Sequence, residues 1–252
     1  MPAHLTILTG ASRGLGLAIA QQLLANPDRT LVCISRNASA ELTALAARTG
    51  ATLEQWRLEL AQGAAAAKAL TAWLQTQSTV PWASATLINN AGAIPALMPL
   101  SHADPDDLAQ ALRVGVEAPL LLSSAFLRAT REWKAARKVL NISSGLGRRA
   151  MASSAAYCAA KAGMDHFTRC MALEEAQTPG GAKVCSLAPG VIDTDMQVQL
   201  RTADETHFPD LATFSALHAQ GQLSSAADAA QRILAFLARA DFGAKPVSDI
   251  RD

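Results

Sequence analysis

The chain has 252 residues, half of them hydrophobic and 17% charged, with a formal net charge of +1. That length and composition describe a globular chain with enough apolar mass for a sizeable core, and they exclude disorder. Its near-zero charge and scattered basic residues argue against nucleic acid or an anionic membrane surface as a partner.

Cys33, Cys158, Cys170 and Cys185 show no C-x-x-C spacing and no histidine cluster beside them. They read as small buried residues of a reducing compartment, so neither a metal nor a disulfide is expected. A strand pattern begins by His4 and no apolar run reaches transmembrane length, which makes the cytoplasm the expected location.

In chain order, Leu5 to Thr9 is a short β-prone run that ends in the turn Gly10-Ala11-Ser12-Arg13-Gly14-Leu15-Gly16. A helical pattern follows through Ala25, with Leu17, Ile19, Ala20, Leu23 and Leu24 on its apolar positions. Strand, glycine turn and helix together form a dinucleotide-binding signature. Gly10 permits a tight turn. Gly14 and Gly16 let the backbone approach a pyrophosphate, which then meets the free N–H groups of the helix start.

A second strand, Thr30 to Ser35, ends in Arg36-Asn37, where many NAD-binding folds carry an acid for the ribose hydroxyls. Arg36, with Arg13 in the glycine turn, suits a phosphate instead, so NADP(H) is preferred over NAD(H).

Glu41 to Arg48 reads as a helix and Thr52 to Leu58 as a third strand, followed by Glu59-Leu60. Gly63 to Gln75 favours helix on propensity. Ala85 to Ile88 is a fourth strand leading into Asn89-Asn90-Ala91-Gly92, small and amide residues suited to a backbone passing close to a ligand. Pro95 to Pro105 is loop-like, Asp106 to Ala129 is one long helix, and Lys138 to Ile142 is a fifth strand ending in Ser143-Ser144-Gly145.

Ala155 to Glu175 is again helical, and it carries Tyr157 and Lys161 four residues apart on one face. Tyr157 is the only tyrosine of the chain. A lysine ammonium beside it favours the phenolate and draws its pKa towards the working range. A sixth strand, Ala182 to Leu187, runs into Ala188-Pro189-Gly190-Val191-Ile192-Asp193-Thr194. The stretch from there to Gln222 is mixed and polar, and is expected to be a mobile substrate-covering segment (about 193–222) with one or two helices. Ala226 to Ala240 is a final amphipathic helix. Strands alternate with helices throughout, without repeat or linker, giving one doubly wound parallel α/β domain of Rossmann type.

Together these segments resemble the short-chain dehydrogenase/reductase family across essentially the whole chain. The matching pieces are Thr9 to Gly16, Asn89 to Gly92, Asn141 to Ser144, Tyr157 to Lys161 and Pro189-Gly190, in the family's order. The resemblance implies a carbonyl reductase in which Ser144 and Tyr157 hold the substrate oxygen and Tyr157 donates the proton. It implies that Lys161 lowers the tyrosine pKa and grips the nicotinamide ribose. Gly10, Ser12, Arg13, Gly14, Leu15, Gly16, Asn90, Ala91 and Gly92 are implied cofactor contacts. Pro189, Gly190, Ile192, Thr194 and Met196 are assigned to the nicotinamide end, and Glu59 and Leu60 to the adenine.

One departure stands out: the family often has an asparagine in the long central helix, and this chain has Val114-Gly115-Val116, with Gly115 at that position. Within the family, the second half resembles sepiapterin reductases and bacterial benzil-type reductases. That likeness implies that Asp249, near the carboxyl end, grips a pterin-like substrate edge. It also implies a homodimer or homotetramer built through the long helices.

Two other readings compete with the reductase. The same site could run in the oxidative direction as an alcohol dehydrogenase, against which Arg13 and Arg36 speak through the reducing poise of NADP pools. A regulator that senses NADP(H) without chemistry would keep its behaviour when Tyr157 becomes phenylalanine.

Overall fold

Continuous apolar strand runs need cover on both faces, and the alternation of strands with helices supplies it. The computed structural model describes residues 3–252. In chain order it contains β1 (Ala3–Thr9), α1 (Gly14–Leu24), β2 (Arg29–Ser35), α2 (Ala40–Thr49), β3 (Thr52–Arg57), α3 (Gly63–Thr76) and β4 (Trp82–Asn89). Then come α4 (Pro105–Leu112), α5 (Ala118–Ala129), β5 (Ala136–Ile142), α6 (Ala155–Ala176) and β6 (Lys183–Ala188). The chain ends with α7 (Asp195–Arg201), α8 (Leu211–Ala219), α9 (Ala226–Ala238) and β7 (Val247–Asp249).

All strands lie parallel in one sheet ordered β3-β2-β1-β4-β5-β6-β7. On one face Ile19, Leu23 and Leu42, with Ile233 from α9, form a core against Leu8, Leu31 and Ile88. On the other, Leu70, Leu74, Leu122, Phe126 and Met171 pack on Leu5, Leu87 and Val139. Burying side chains of this size contributes roughly 1.5–3 kcal/mol each, which makes the helix layers the main hold on the sheet. The order reverses between β1 and β4, so the loops leaving them diverge and open a crevice at their carboxyl ends.

Three expectations need correction. The helix predicted over Asp106 to Ala129 is divided by a π-turn at Arg113–Glu117 between α4 and α5. Pro119 has no N–H to return to the preceding turn, and widening the helix there removes the conflict. A seventh strand, β7, was not foreseen: it is three residues long and is made only by pairing with β6, at Ser186↔Val247 and Ala188↔Asp249.

The segment after Ile192 has the two helices expected of it. It holds α7 and α8, and Leu200, Phe208 and Phe214 form a third apolar cluster with Leu97 and Met151. Its two ends are clamped together by the bridge Ile192↔Ser224, with Asp193 N donating to Ser224 O at 2.9 Å. Finally, Cys33 and Cys185 are buried, but Cys158 is half-buried and Cys170 is exposed, because α6 turns that side outwards.

Candidate active site

The crevice begins with the glycine turn. Gly10 and Gly14 have φ of +71° and +54°, a region in which side chains are strained. A Cβ on Gly16 would lie 2.1 Å from the Gly10 carbonyl oxygen, so only glycine lets α1 start this close to β1. Across the switch point, Thr9 Oγ1 accepts from the N–H groups of Asn90 (2.9 Å) and Ala91 (3.0 Å), and Asn90 Nδ2 donates to Thr9 O at 3.0 Å. These bonds fix the Asn90-Ala91-Gly92 backbone beside the turn. The resulting cradle, opened by Gly10, Gly14 and Gly16 and facing a helix N-terminus, fits a dinucleotide pyrophosphate.

Beneath the cradle, neighbouring strands are tied by buried amides. Asn89 Nδ2 donates to Asn141 Oδ1 at 2.8 Å, and Asn141 Nδ2 donates to Thr168 Oγ1 at 2.8 Å. Their bonds link β4, β5 and α6, which set the position of the residues above them.

Ser144 leaves β5 with an extended backbone, and its Oγ accepts from Leu146 N at 3.1 Å. Tyr157 and Lys161 come one turn apart on α6, and all three line the same cleft as Gly10 to Gly16. Lys161 Nζ donates to Ile142 O at 2.6 Å and lies 5.7 Å from the tyrosine ring centre. A Cβ at position 92 would stand 3.7 Å from that nitrogen, so Gly92 keeps the space above the lysine open.

The electrostatics depart from expectation. Burial pushes the Tyr157 hydroxyl above its ordinary 10.0, while its hydrogen bond with Ser144 works the other way. Burial also brings Lys161 down from 10.5 to about 8, and Asp165 opposes that fall. Burial thus favours the neutral O–H of the tyrosine, and Ser144 draws it towards ionisation.

Gly115 sits in the π-turn, where an added Cβ would lie 2.8 Å from Ala160 Cβ. α6 therefore occupies the space that the family's asparagine would need.

Most expected contacts reach the cleft, among them Ser12, Leu15, Arg36, Glu59, Leu60, Pro189, Gly190, Ile192, Thr194 and Met196. Met196 Sδ is 4.0 Å from the Tyr157 hydroxyl. Asn37 and Asp249 do not line it. Arg13 lines it but is paired with Asp195 at 2.8 Å, with both side chains exposed, so the pair is weak and open to exchange for a ligand phosphate.

Asp249 lies on β7 with both carboxylate oxygens engaged by Arg251 at 2.7 Å and with Arg148 at 3.5 Å. Arg251 is the group that meets the cleft. Sequence reasoning also missed Gln110, Arg149, Gln197 and Phe214 as lining residues. No local pattern marks an isolated side chain that a distant loop delivers. The cleft encloses about 450 Å³, the size of a small-molecule site.

A doubly wound sheet with a glycine turn at its switch point, and a serine, tyrosine and lysine converging beside it, defines an oxidoreductase of the nicotinamide-dependent class. The short chain dehydrogenase family model matches residues 4–205, and the chain belongs to that family. A benzil reductase ((S)-benzoin forming) of Bacillus cereus is 36% identical over 236 residues, 94% of each chain. A sepiapterin reductase of Xenopus tropicalis is 33% identical over 222 residues, 83% of this chain and 81% of its own. Among solved structures, a putative 2-deoxy-d-gluconate 3-dehydrogenase from Agrobacterium tumefaciens with bound NADP superposes with a TM-score of 0.79 at 25% identity, covering 99% of this chain and 95% of its own. Among the described residues no helix is long and apolar enough to cross a membrane, and no three His, Cys, Asp or Glu side chains gather as metal ligands.

Proposed function

We propose that this protein is an NADPH-dependent reductase of ketones or 1,2-dicarbonyl compounds. The observation that carries the reading is the convergence of Ser144, Tyr157 and Lys161 beside the glycine cradle. When bound, the dinucleotide supplies the hydride. Ser144 Oγ and the Tyr157 hydroxyl hold the carbonyl oxygen, which gains negative charge as the carbon is reduced. Tyr157, kept protonated by burial, gives its proton to that oxygen. Lys161 holds charge beneath the tyrosine and is placed to bind ribose hydroxyls above it. A tyrosine held as the neutral acid favours the reductive direction over alcohol oxidation.

Arg36 at the end of β2, with no acid beside it, supports NADP(H). Glu59 and Leu60 bound the adenine end of the cleft, and the clamped segment from Ile192 to Ser224 covers the substrate end in this reading. Asp249 contributes through Arg251, whose N–H groups offer donors to the substrate. That arrangement suits the second oxygen of a dicarbonyl better than the N–H edge of a pterin.

Leu112, Leu120 and Leu173 are exposed on α4, α5 and α6, which supports a homodimer or homotetramer joined through those helices. A monomer mass by sedimentation equilibrium would remove that claim. A cytoplasmic setting goes with the NADPH reading.

The test is absorbance-followed oxidation of NADPH and NADH with benzil, simple diketones and sepiapterin. Turnover of a dicarbonyl with NADPH is expected, with weaker turnover of the pterin. Arg36→Ala is expected to raise KM for NADPH about tenfold or more and leave KM for NADH within about threefold, as loss of one phosphate contact requires. Equal effects on both cofactors would place the 2′-phosphate elsewhere.

A further inference from the structure

The cleft carries more positive charge than a dinucleotide needs. Arg13, Arg36, Arg149, Arg251 and Lys161 line it, and among the described residues the carboxylates that line it are Glu59 and Asp195 alone. Asp195 is paired with Arg13 at 2.8 Å. With Arg36 assigned to a phosphate and Lys161 to the ribose, Arg149 and Arg251 are left for the substrate.

Backbone bonds put both at the substrate end. Arg149 N donates to Gly145 O at 3.0 Å, which folds the turn after Ser144 and leaves Arg149 about one turn from that serine. Ile250 N donates to Ala188 O at 2.9 Å, so Arg251 stands beside Ala188-Pro189-Gly190. Asp249 joins the two sides: it accepts from Arg251 Nε and Nη2 at 2.7 Å, and Arg148 Nη2 lies 3.5 Å from it. Arg148 is also 4.0 Å from the buried Asp165. Three guanidiniums thus meet two carboxylates, and positive charge is left over. Among the described residues Arg149 pairs with no carboxylate, and Arg251 Nη1 makes no hydrogen bond. Leu146 on the serine turn, with Leu200 and Phe214 of the clamped segment, adds an apolar wall to the same cleft.

We infer that the substrate is a 2-oxo acid with a bulky apolar substituent: Arg149 and Arg251 take its carboxylate, the apolar wall takes the substituent, and Ser144 and Tyr157 take the ketone oxygen. The inference rests on the reductase reading above and names which dicarbonyl is reduced. A guanidinium offers a planar fork of N–H donors that matches a carboxylate. A neutral second carbonyl would cover the same cations without balancing their charge. The ketone becomes a hydroxyl with hydride from NADPH and the proton of Tyr157, and the carboxylate passes through unchanged.

The probes are phenylglyoxylate and its methyl ester, which share ring and ketone and differ in charge. With NADPH, the wild-type KM for the acid is expected to be about tenfold below that for the ester. That advantage should shrink as salt is raised, because both arginines are exposed to solvent. Arg149→Gln and Arg251→Gln should each raise the acid-to-ester KM ratio about tenfold, a ratio from which any general loss of activity cancels. Arg149 is exposed and bears no ion pair, so its variant should fold even if the loss of Arg251 disturbs β7. A wild-type KM for the acid no lower than for the ester, or a ratio that neither substitution moves, overturns the inference, while turnover of the ester leaves the reductase reading standing. Wild-type protein that reduces neither probe nor benzil takes down the reductase reading, and this inference with it.

Discussion

Tyr157→Phe is expected to lower kcat for carbonyl reduction about a thousandfold, within the range that a positioned general acid contributes. NADPH affinity should be unchanged. The change removes one oxygen and leaves the ring, which is buried on α6. The fold loses only the hydroxyl's contacts with Met196 Sδ and with Ser144, about 1 kcal/mol, so a fall in activity would not reflect unfolding.

Because Tyr157 is the only tyrosine in the chain, its ionisation can also be read directly. The ultraviolet band of the phenolate should grow in only above the ordinary tyrosine range, because burial raises its pKa. Activity within tenfold of wild type would remove Tyr157 as the proton donor. Tight NADPH binding with no turnover in either protein would select the sensing regulator.

The parts of this site that were legible in the sequence are those whose geometry is local. Gly10 to Gly16 lies between a strand and a helix that are themselves periodic, and the spacing of Tyr157 and Lys161 becomes a shared face once α6 forms. The doubly wound parallel sheet needed only the alternation of apolar strand runs with helices.

What the sequence did not show depends on distant packing. β7 exists because β6 offers an edge, and no period can be read in three residues. Arg251 becomes a cleft residue only because Asp249 holds it there. The tyrosine pKa was misjudged for the same reason: spacing tells that Lys161 is near, whereas the dominant effect is how completely the sheet and α6 exclude water. Gly115 looked like a missing catalytic group, and its meaning lies in Ala160, forty-five positions away.

Gly16→Ala is the other large effect expected. The new methyl would lie 2.1 Å from Gly10 O, 2.8 Å from Gly10 C and 2.6 Å from Asn90 Nδ2, all far inside contact distance. A side chain could swing aside, but the Gly10 carbonyl belongs to the turn itself. α1 cannot retreat cheaply either, because Leu15, Ile19 and Leu23 anchor it in the core.

The strain should cost about 3 kcal/mol, the upper part of the range for overpacking, which for a chain of this size lowers Tm by roughly 10 °C. Relief by lifting α1 moves its N-terminus off the cradle, and relief by moving Gly10 or Asn90 breaks the bonds from Asn90 Nδ2 to Thr9 O and Gly10 O, so NADPH affinity should fall more than tenfold together with stability. Gly50→Ala separates crowding from backbone strain. Its φ is +79° but nothing lies within 4 Å, so it should cost about 1 kcal/mol and leave NADPH binding intact. If both variants melt alike and bind NADPH alike, the close approach of α1 to β1 does not shape the cofactor site.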